Sequence, residues 1–440
     1  MASTYLTRTP SSATNRKTWT WSGWVKRSSI TSSNPRLFVG HTSSTDRVEL
    51  YFTPADVLVS EIRIGNTARN LLTTRKFRDT SAWYHIVLAV NTTLSTSDDR
   101  VKLFINGERV TDIVGGESMP NQNDDTAVNN NVEHRIGSSV AYGNPFDGSM
   151  SHIHFIDGTA YDASAFGSTD ATTGEWKINT SPSVTYGTNG FFILKDGNSV
   201  TDQSGNSNNF TVGGGTLTKT EDNPSNVFAN WNPLAQTFSS ISYEHGNTTN
   251  ATSADVGQRQ SISTLGSSSG KFYMECKLQA IGSNVGGSFP YAGIVAQSKY
   301  AGNTYVGGNG CGWTTGGDVY NGGGSATSSG VSYTTGDIIG LAVDITNSKM
   351  YWHKNGTYIF SGNPSAGTGG FDISARTSED AIGFATSLYN NNGTWQCNFG
   401  NGYFGSTQIS SAGTNASGNG IFEYDVPTGY TALSTKGLNL

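Results

Sequence analysis

The chain carries little charge and almost no cysteine. Charged residues make up 14% of its 440 positions, with 27 Lys and Arg against 33 Asp and Glu, so the formal net charge is −6. No basic run or stripe occurs, which argues against recognition of nucleic acid through its phosphates. The three cysteines, Cys276, Cys311 and Cys397, lie in the C-terminal half and form no C-x-x-C pair. That pattern speaks against a structural zinc site or a disulfide framework, and the odd number leaves at least one thiol unpaired within the chain. No apolar stretch approaches the ~18 residues of a spanning helix, so no membrane insertion is expected. Met1 is followed by ASTYLTRTPSSATNRKTWTW, without an apolar h-region, so no secretory signal is expected either. No heptad run or collagen-like repeat is present, which leaves no fibre shaft in this chain.

Glycine is abundant instead, 55 of 440 residues, together with Ser, Thr and Asn. Such a composition suits short strands joined by many turns and suits long helices badly. The length exceeds one ordinary sandwich and fits two domains of roughly 200 residues, each able to bury its own core.

One phrase occurs twice. VKLFINGERV (residues 101–110) and MYWHKNGTYI (350–359) both alternate, turn at Asn-Gly, and alternate again. A type I′ turn needs positive φ at both central residues, and Asn-Gly supplies it. Asn106-Gly107 and Asn355-Gly356 are therefore expected as structural turns, with Leu103 facing Val110 and Trp352 facing Ile359. Upstream lie WYHIVLAV (83–90) and GDIIGLAVDI (336–345), each with Leu-Ala-Val in a β-rich run. A strand, a loop and a hairpin thus recur in the same order.

Further strands are expected at TWTWSGWVKR, RLFVGH, RVELYFT, DVLVSEIRI and SHIHFIDGTAY, and later at GKFYMECKLQAI, YAGIVAQS, AIGFATSLY and TWQCNFG. In the first of these, Trp19 and Trp21 share a face and are expected in a core, with Trp24 on the other face. Only YDASAFG reads as helical, for a single turn. Residues 115–132 read as a long polar loop, and GGNGCGWTTGGDVYNGGGSATSSG reads as an exposed connection. The fold class is all-β, as two antiparallel jelly-roll β-sandwiches in tandem. Domains are expected at residues 1–221 and 236–440, with a linker at 222–235.

The phrases GKFYMECKL, GDIIGLAVDI, KMYWHKNGTYIF and CNFGNGYF, over roughly 150 residues, resemble the SPRY family, which implies a bent sandwich binding proteins through its loops. The phrases WTWSGWVKR, WYHIVLAV, VKLFINGERV, HRIGSS, FDGSMSHIHFIDGTAYD and DQSGNSNNFTV are similar to laminin-G or pentraxin-type domains of the concanavalin A-like superfamily. The tandem order, without a signal peptide, resembles virion proteins of tailed phages of marine bacteria.

That fold also hosts glycanases. Retaining hydrolysis needs two carboxylates about 5 Å apart. Fold relatives carry them as Glu-x-Asp-x-Glu on one strand, and no such run occurs here; DRVEL and TSEDA do not match. His152 and His154, spaced i, i+2, could share a face and chelate a metal, but a third ligand is not evident. Laminin-G-like domains often hold calcium through loop oxygens, which makes Asp124 and Asp125 in NQNDDT the first Ca2+ candidates. Sugar binding by such folds uses aromatic stacking and Asn or Asp at loop ends. The candidates are Tyr142 and Asn144 in AYGNPFDG, and Trp313 and Tyr320 in the glycine-rich stretch.

The resemblance implies a non-enzymatic virion surface protein, a tail fibre or appendage, that recognises host-surface glycan or protein through sandwich loops. It would be made in the host cytoplasm and assembled with other virion proteins as a homo-oligomer, a trimer by analogy with fibres. The alternative is a structural capsid-decoration or tail-assembly protein, and a glycan depolymerase is third.

Overall fold

Ten residues, Thr18–Arg27, form the strand around which the first half of the chain is built. Alternation sends Trp19 and Trp21 to one face, both fully buried, and Trp24 to the other, where its ring stacks 4.9 Å from that of His85. The computed structural model describes residues 4–30, 33–114, 118–195, 199–235, 240–253, 257–282, 289–390 and 392–440. They form two compact units, Met1–Lys219 and Thr220–Leu440, and both are nearly all β.

In the first unit, Thr18–Arg27 pairs with Tyr84–Asn91 on one side and Gly148–Asp157 on the other. This six-stranded antiparallel sheet continues to Val101–Ile105 and Glu108–Arg109 at one edge and Phe191–Ile193 at the other. A seven-stranded sheet packs against it, in the order Thr211–Gly214, Tyr5–Arg8, His134–Ile136, Arg36–His41, Arg47–Phe52, Val57–Ile64, Thr67–Lys76. The core between them includes Trp19, Trp21, Phe38, Leu50, Leu88 and Phe155. The edge strand Thr67–Lys76 carries no clear strand signal in the sequence because its residues are mostly polar and only partly buried.

The second unit has the same wiring. Its ten-residue strand Lys271–Ala280 pairs with Ile338–Asp344, which pairs with Lys349–Lys354, which turns into Thr357–Tyr358. On its other side lie Thr394–Asn398 and, parallel to its start, the C-terminal Thr431–Ala432. The apolar rows correspond across the two units: Trp21, Leu88 and Leu103 face one another in the first, and Met274, Leu341 and Trp352 in the second. A second sheet, containing Gln258–Ile262, Ile382–Tyr389, Tyr291–Ala296, Cys311–Thr314, Asp318–Asn321 and Thr327–Ser328, completes this unit.

Both Asn-Gly turns have the expected geometry. φ is 49° and 85° at Asn106 and Gly107, and 48° and 87° at Asn355 and Gly356. The amide N–H of Val110 reaches the Leu103 carbonyl at 2.8 Å, and that of Ile359 reaches Trp352 at 3.0 Å. Each turn Asn also clasps the neighbouring strand. Asn106 N–H donates to the His85 carbonyl while its Oδ1 accepts the His85 N–H at 2.8 Å. Asn355 does the same with Ile338, its Oδ1 also at 2.8 Å.

Three expectations require correction. Residues 222–235, read as a linker, belong to the second unit, where Phe228, Ala229 and Trp231 are buried. The glycine-rich stretch is an exposed connection only over residues 322–330; its first half runs through a helical turn, Val306–Asn309, and the strands Cys311–Thr314 and Asp318–Asn321. Its glycines permit close packing, since a Cβ on Gly310 would lie 2.1 Å from the Ile294 carbonyl oxygen. The polar loop at 115–132, whose first three residues fall outside those described, turns inward: Ala127 and Val128 join the core, and Thr126 Oγ1 accepts from the Trp19 indole at 3.0 Å. The YDASAFG turn is present as Ala163–Ala165, but Ser374–Thr377 is a further helical turn too short to leave a periodic signal.

Replacing Asn106 and Gly107 together by Ala should destabilise the first unit by about 1–3 kcal/mol, by loss of positive-φ tolerance and of the clasp. A Cβ at Gly107 would also fall 2.4 Å from the Trp176 ring. An unchanged thermal midpoint would contradict the role assigned to this turn.

Candidate functional site

One register row crosses the outer face of the seven-stranded sheet: Thr7, Arg135, Val39, Glu49, Glu61 and Asn70 stand opposite one another on successive strands. The alternation of RVELYF that turns Val48, Leu50 and Phe52 into the core sends Arg47, Glu49 and Tyr51 outward. Glu49 has no solvent exposure and is the hub. Arg36 Nη2 reaches its Oε2 at 3.0 Å and Arg47 Nε reaches the same oxygen at 3.4 Å. Arg47 also bridges to Glu61 at 2.8 Å, and Arg63 joins Glu61 at 3.1 Å. A buried carboxylate needs such pairing, because removing one partner would strand a charge out of water.

Tyr142 covers this ladder. Ser139 donates its hydroxyl to Glu49 Oε1 at 3.1 Å, and the same hydroxyl accepts the N–H groups of Ala141 and Tyr142. The tight turn at 139–143 is thereby pinned to the ladder. The Tyr142 ring lies 5.9 Å from the Arg36 guanidinium and 5.8 Å from that of Arg47, yet the residue remains 53% exposed. Asn144, with φ 48°, accepts the Arg36 N–H through its carbonyl at 3.2 Å. Two candidates legible in the sequence thus stand beside an arginine–glutamate ladder that sequence reasoning missed. The charges lie on three different strands, and only the sheet register unites them. Buried polar atoms on this face, Arg36 Nε and Asn70 Oδ1, have no protein partner.

Trp313 is corrected. It is fully buried in the second core, donates its indole N–H to Ser329 Oγ at 3.1 Å, and packs edge-on against Tyr333 at 4.8 Å. The flanking glycines suggested exposure, but they serve strand packing, so this ring offers no platform to a ligand. Tyr320 is half-buried in an aromatic cluster with Tyr291 and Tyr305, at centroid distances of 6.0 and 6.4 Å. Tyr320 belongs to the second unit and Tyr142 to the first.

Asp124 closes a turn, its Oδ2 accepting the Asn121 N–H at 2.8 Å, while Asp125 is exposed. His152 sits in a bulge with φ 48°, and His154 stacks 3.9 Å from Phe192 with Nδ1 bonded to the Tyr186 hydroxyl. Burial pushes the His154 pKa well below the usual histidine value. Among the described residues, no group of three or more His, Cys, Asp or Glu is arranged to hold a metal.

Ser22 and His85 superficially suggest a nucleophile and its base, with Oγ and Nε2 2.9 Å apart. The Trp176 indole, a donor only, reaches His85 Nδ1 at 3.0 Å. The neutral ring therefore carries its proton on Nε2 and donates to Ser22, the wrong sense for activating a nucleophile. Burial also lowers the His85 pKa to about 3.

A second buried carboxylate, Glu275, lies on the outer face of the second unit's sheet. Its oxygens accept from the Tyr273 hydroxyl at 3.0 Å, Asn398 Nδ2 at 3.3 Å, and the N–H groups of Glu423 and Tyr424 at 2.9 and 2.8 Å. Tyr273 also bonds to His353 at 2.7 Å. Glu275 thus ties the C-terminal segment onto the sheet. Burial raises its pKa to about 7, against the lowering effect of these donors.

Parts of the chain are similar to known proteins. Residues 2–164 match the laminin-G-type family described as the concanavalin A-like lectin/glucanases superfamily. The first unit thus carries a concanavalin A-like, laminin-G-type domain. Among solved structures, the chain is similar to the SPRY domain of human HERC1, at 16% identity, covering 38% of this chain and 96% of that one with a TM-score of 0.30. It is also similar to a heptameric SAP-like pentraxin from Limulus polyphemus, at 11% identity over 36% of this chain and 71% of that one with a TM-score of 0.27. A third is the Ruminococcus gnavus IT-sialidase CBM40 bound to α2,3-sialyllactose, at 20% identity over 31% of this chain and 75% of that one with a TM-score of 0.24. No curated protein sequence matches the chain. Among the described residues, no helix is long and apolar enough to cross a membrane.

The pH dependence of Glu275 has a definite sign. Its folded pKa, about 7, lies above its ordinary value of 4.5, so the folded state holds the proton more tightly. Stability of the second unit is highest below pH 4.5 as far as this group is concerned, and falls by on the order of 3 kcal/mol as pH rises through 7. Glu275→Gln should flatten that slope in denaturant titrations on either side of the window; an equally steep slope in the variant would remove Glu275 as its source.

Proposed function

We propose that this chain is a non-enzymatic recognition protein whose first unit binds glycan on the Tyr142 platform. The observation that carries this reading is the exposed Tyr142 ring, seated on two guanidiniums that are themselves locked by Glu49. A ring immobilised on one side and open on the other can stack on the apolar face of a pyranose at little entropic cost. Asn144, next to it, supplies hydrogen-bonding groups at the loop end. The match to a lectin and glucanase superfamily supports the same ligand class. Binding rather than hydrolysis is favoured because Glu49 and Glu61, though opposite one another, are covered and engaged by arginines.

The setting proposed for this activity is a virion surface, as a tail fibre or similar appendage that meets host-surface glycan. What supports it is the resemblance of the tandem order to phage virion proteins. The structural alternative, contact with other virion subunits, draws support from the half-buried Tyr305 and Tyr320, which pack around the buried Tyr291 in the second unit, chemistry suited to a protein partner.

On a glycan array, the full chain should bind a defined subset of sugars, and Tyr142→Ala should weaken that binding by at least about tenfold with an unchanged melting temperature. Equal binding by the variant would move the site off this face. Immunogold microscopy of phage particles from lysates containing the chain should label tail tips or projecting fibres. Label over the head would favour decoration, and unlabelled particles would rule out the virion setting.

A further inference from the structure

We propose that Cys276 and Cys397 form a cross-strand disulfide when the chain folds in the presence of a small-molecule disulfide such as oxidised glutathione. The two residues stand directly opposite one another on the neighbouring strands Lys271–Ala280 and Thr394–Asn398. Their sulfurs are 3.0 Å apart, about 1 Å more than a disulfide bond.

The hydrogen-bond pattern identifies the type of pair. The N–H of Cys397 points away from Cys276, to the Thr248 carbonyl on the far side at 2.8 Å. In an antiparallel ladder both backbone groups of a residue face the same neighbour, so Cys276 and Cys397 are a non-hydrogen-bonded pair. The Cα separation in such pairs is about 4.5 Å and the side chains approach most closely. That separation falls within the span of about 4.4–6.8 Å that a disulfide bridges without backbone movement. Cys311 provides an internal contrast. It lies in the other sheet, opposite Ile294 and Asn321, with no cysteine across from it.

The chemistry balances through thiol–disulfide exchange. One cysteine thiolate attacks oxidised glutathione, forming a mixed disulfide and releasing one glutathione thiolate. The second cysteine then displaces the remaining glutathione and closes the protein S–S bond. Two electrons pass to glutathione, which leaves as two thiols carrying the two protons. Both cysteines are fully buried in the folded unit, so exchange belongs to the stage before the two strands close. The bond would bridge strands far apart in the chain, a position where a cross-link restricts the unfolded ensemble strongly. The inference is independent of the glycan reading.

The test counts thiols on the full chain, refolded from denaturant with oxidised or with reduced glutathione, then unfolded in iodoacetamide and weighed intact. One adduct, located at Cys311, is expected after oxidative refolding, and three after reductive refolding. A peptide map should join Cys276 to Cys397. The oxidised form should melt higher by on the order of 5–10 °C. If refolding yields aggregate, native chain held in oxidised glutathione just below its unfolding midpoint gives the same count. Three adducts from folded oxidised protein, or a linkage through Cys311, would overturn the proposal.

Discussion

The clasp between a turn asparagine and the strand beside it is the constraint on which both units depend. Side chains alternate along a strand, so a slip of one residue would turn every core residue outward. Asn106 and Asn355 prevent that slip in two ways at once. Their positive φ fixes the two-residue turn, and their side-chain oxygens take the N–H of His85 and Ile338. With that register set, Leu103 and Trp352 reach the rows begun by Trp21 and Met274. The two units therefore share a wiring plan despite different core residues.

Where the plan recurs, the outer face of the shared sheet is covered. In the first unit, the hairpin of Gly167–Thr169 and Trp176–Ile178 lies over the six-stranded sheet, and Trp176 fixes the His85 tautomer. In the second, residues around Phe422 and Tyr430 cover Tyr273, Tyr351 and Ala342, and Glu275 holds that cover through its two backbone donors. In these outer layers Ser22 with His85, and Glu275 with Tyr273, are satisfied locally, whereas the buried hydroxyls of Tyr351, Tyr358 and Tyr430 have no hydrogen-bond partner among the described residues. The groups with shifted proton affinities, His85, His154 and Glu275, are tied into these covered layers.

The outer face of the seven-stranded sheet is organised differently. Its charges alternate in sign along the strands, Arg47 then Glu49 and Glu61 then Arg63, and neutralise one another through pairs such as Arg47 with Glu61, while the exposed Tyr142 ring rides on top. A chain with few charges has concentrated several of them beneath a tyrosine. Cation–π contact and the Ser139 bond to Glu49 hold that tyrosine in place without covering it. Rigidity with exposure is what a stacking platform requires.

Local chemistry is legible in the sequence itself. The I′ turns follow from positive-φ tolerance at Asn-Gly, the buried Trp19 and Trp21 from period-two alternation, and the all-β class from composition and strand spacing. Tyr142 and Asn144 could be singled out because sugar binding by such folds uses an aromatic ring and an Asn at a loop end. What could not be read was decided by long-range packing. Trp313 is buried because glycines beside it admit Ile294 and Val306, a matter of which strand arrives opposite. Residues 222–235 carry linker-like prolines yet donate Trp231 to a core. The ladder of Arg36, Glu49, Arg47 and Glu61 exists only once three consecutive strands pair in register, and the pairing of Cys276 with Cys397 only once two strands distant in sequence lie roughly 4.7–4.9 Å apart, the spacing of any sheet. Sequence encodes each strand's two faces; the sheet order decides which residues meet across them.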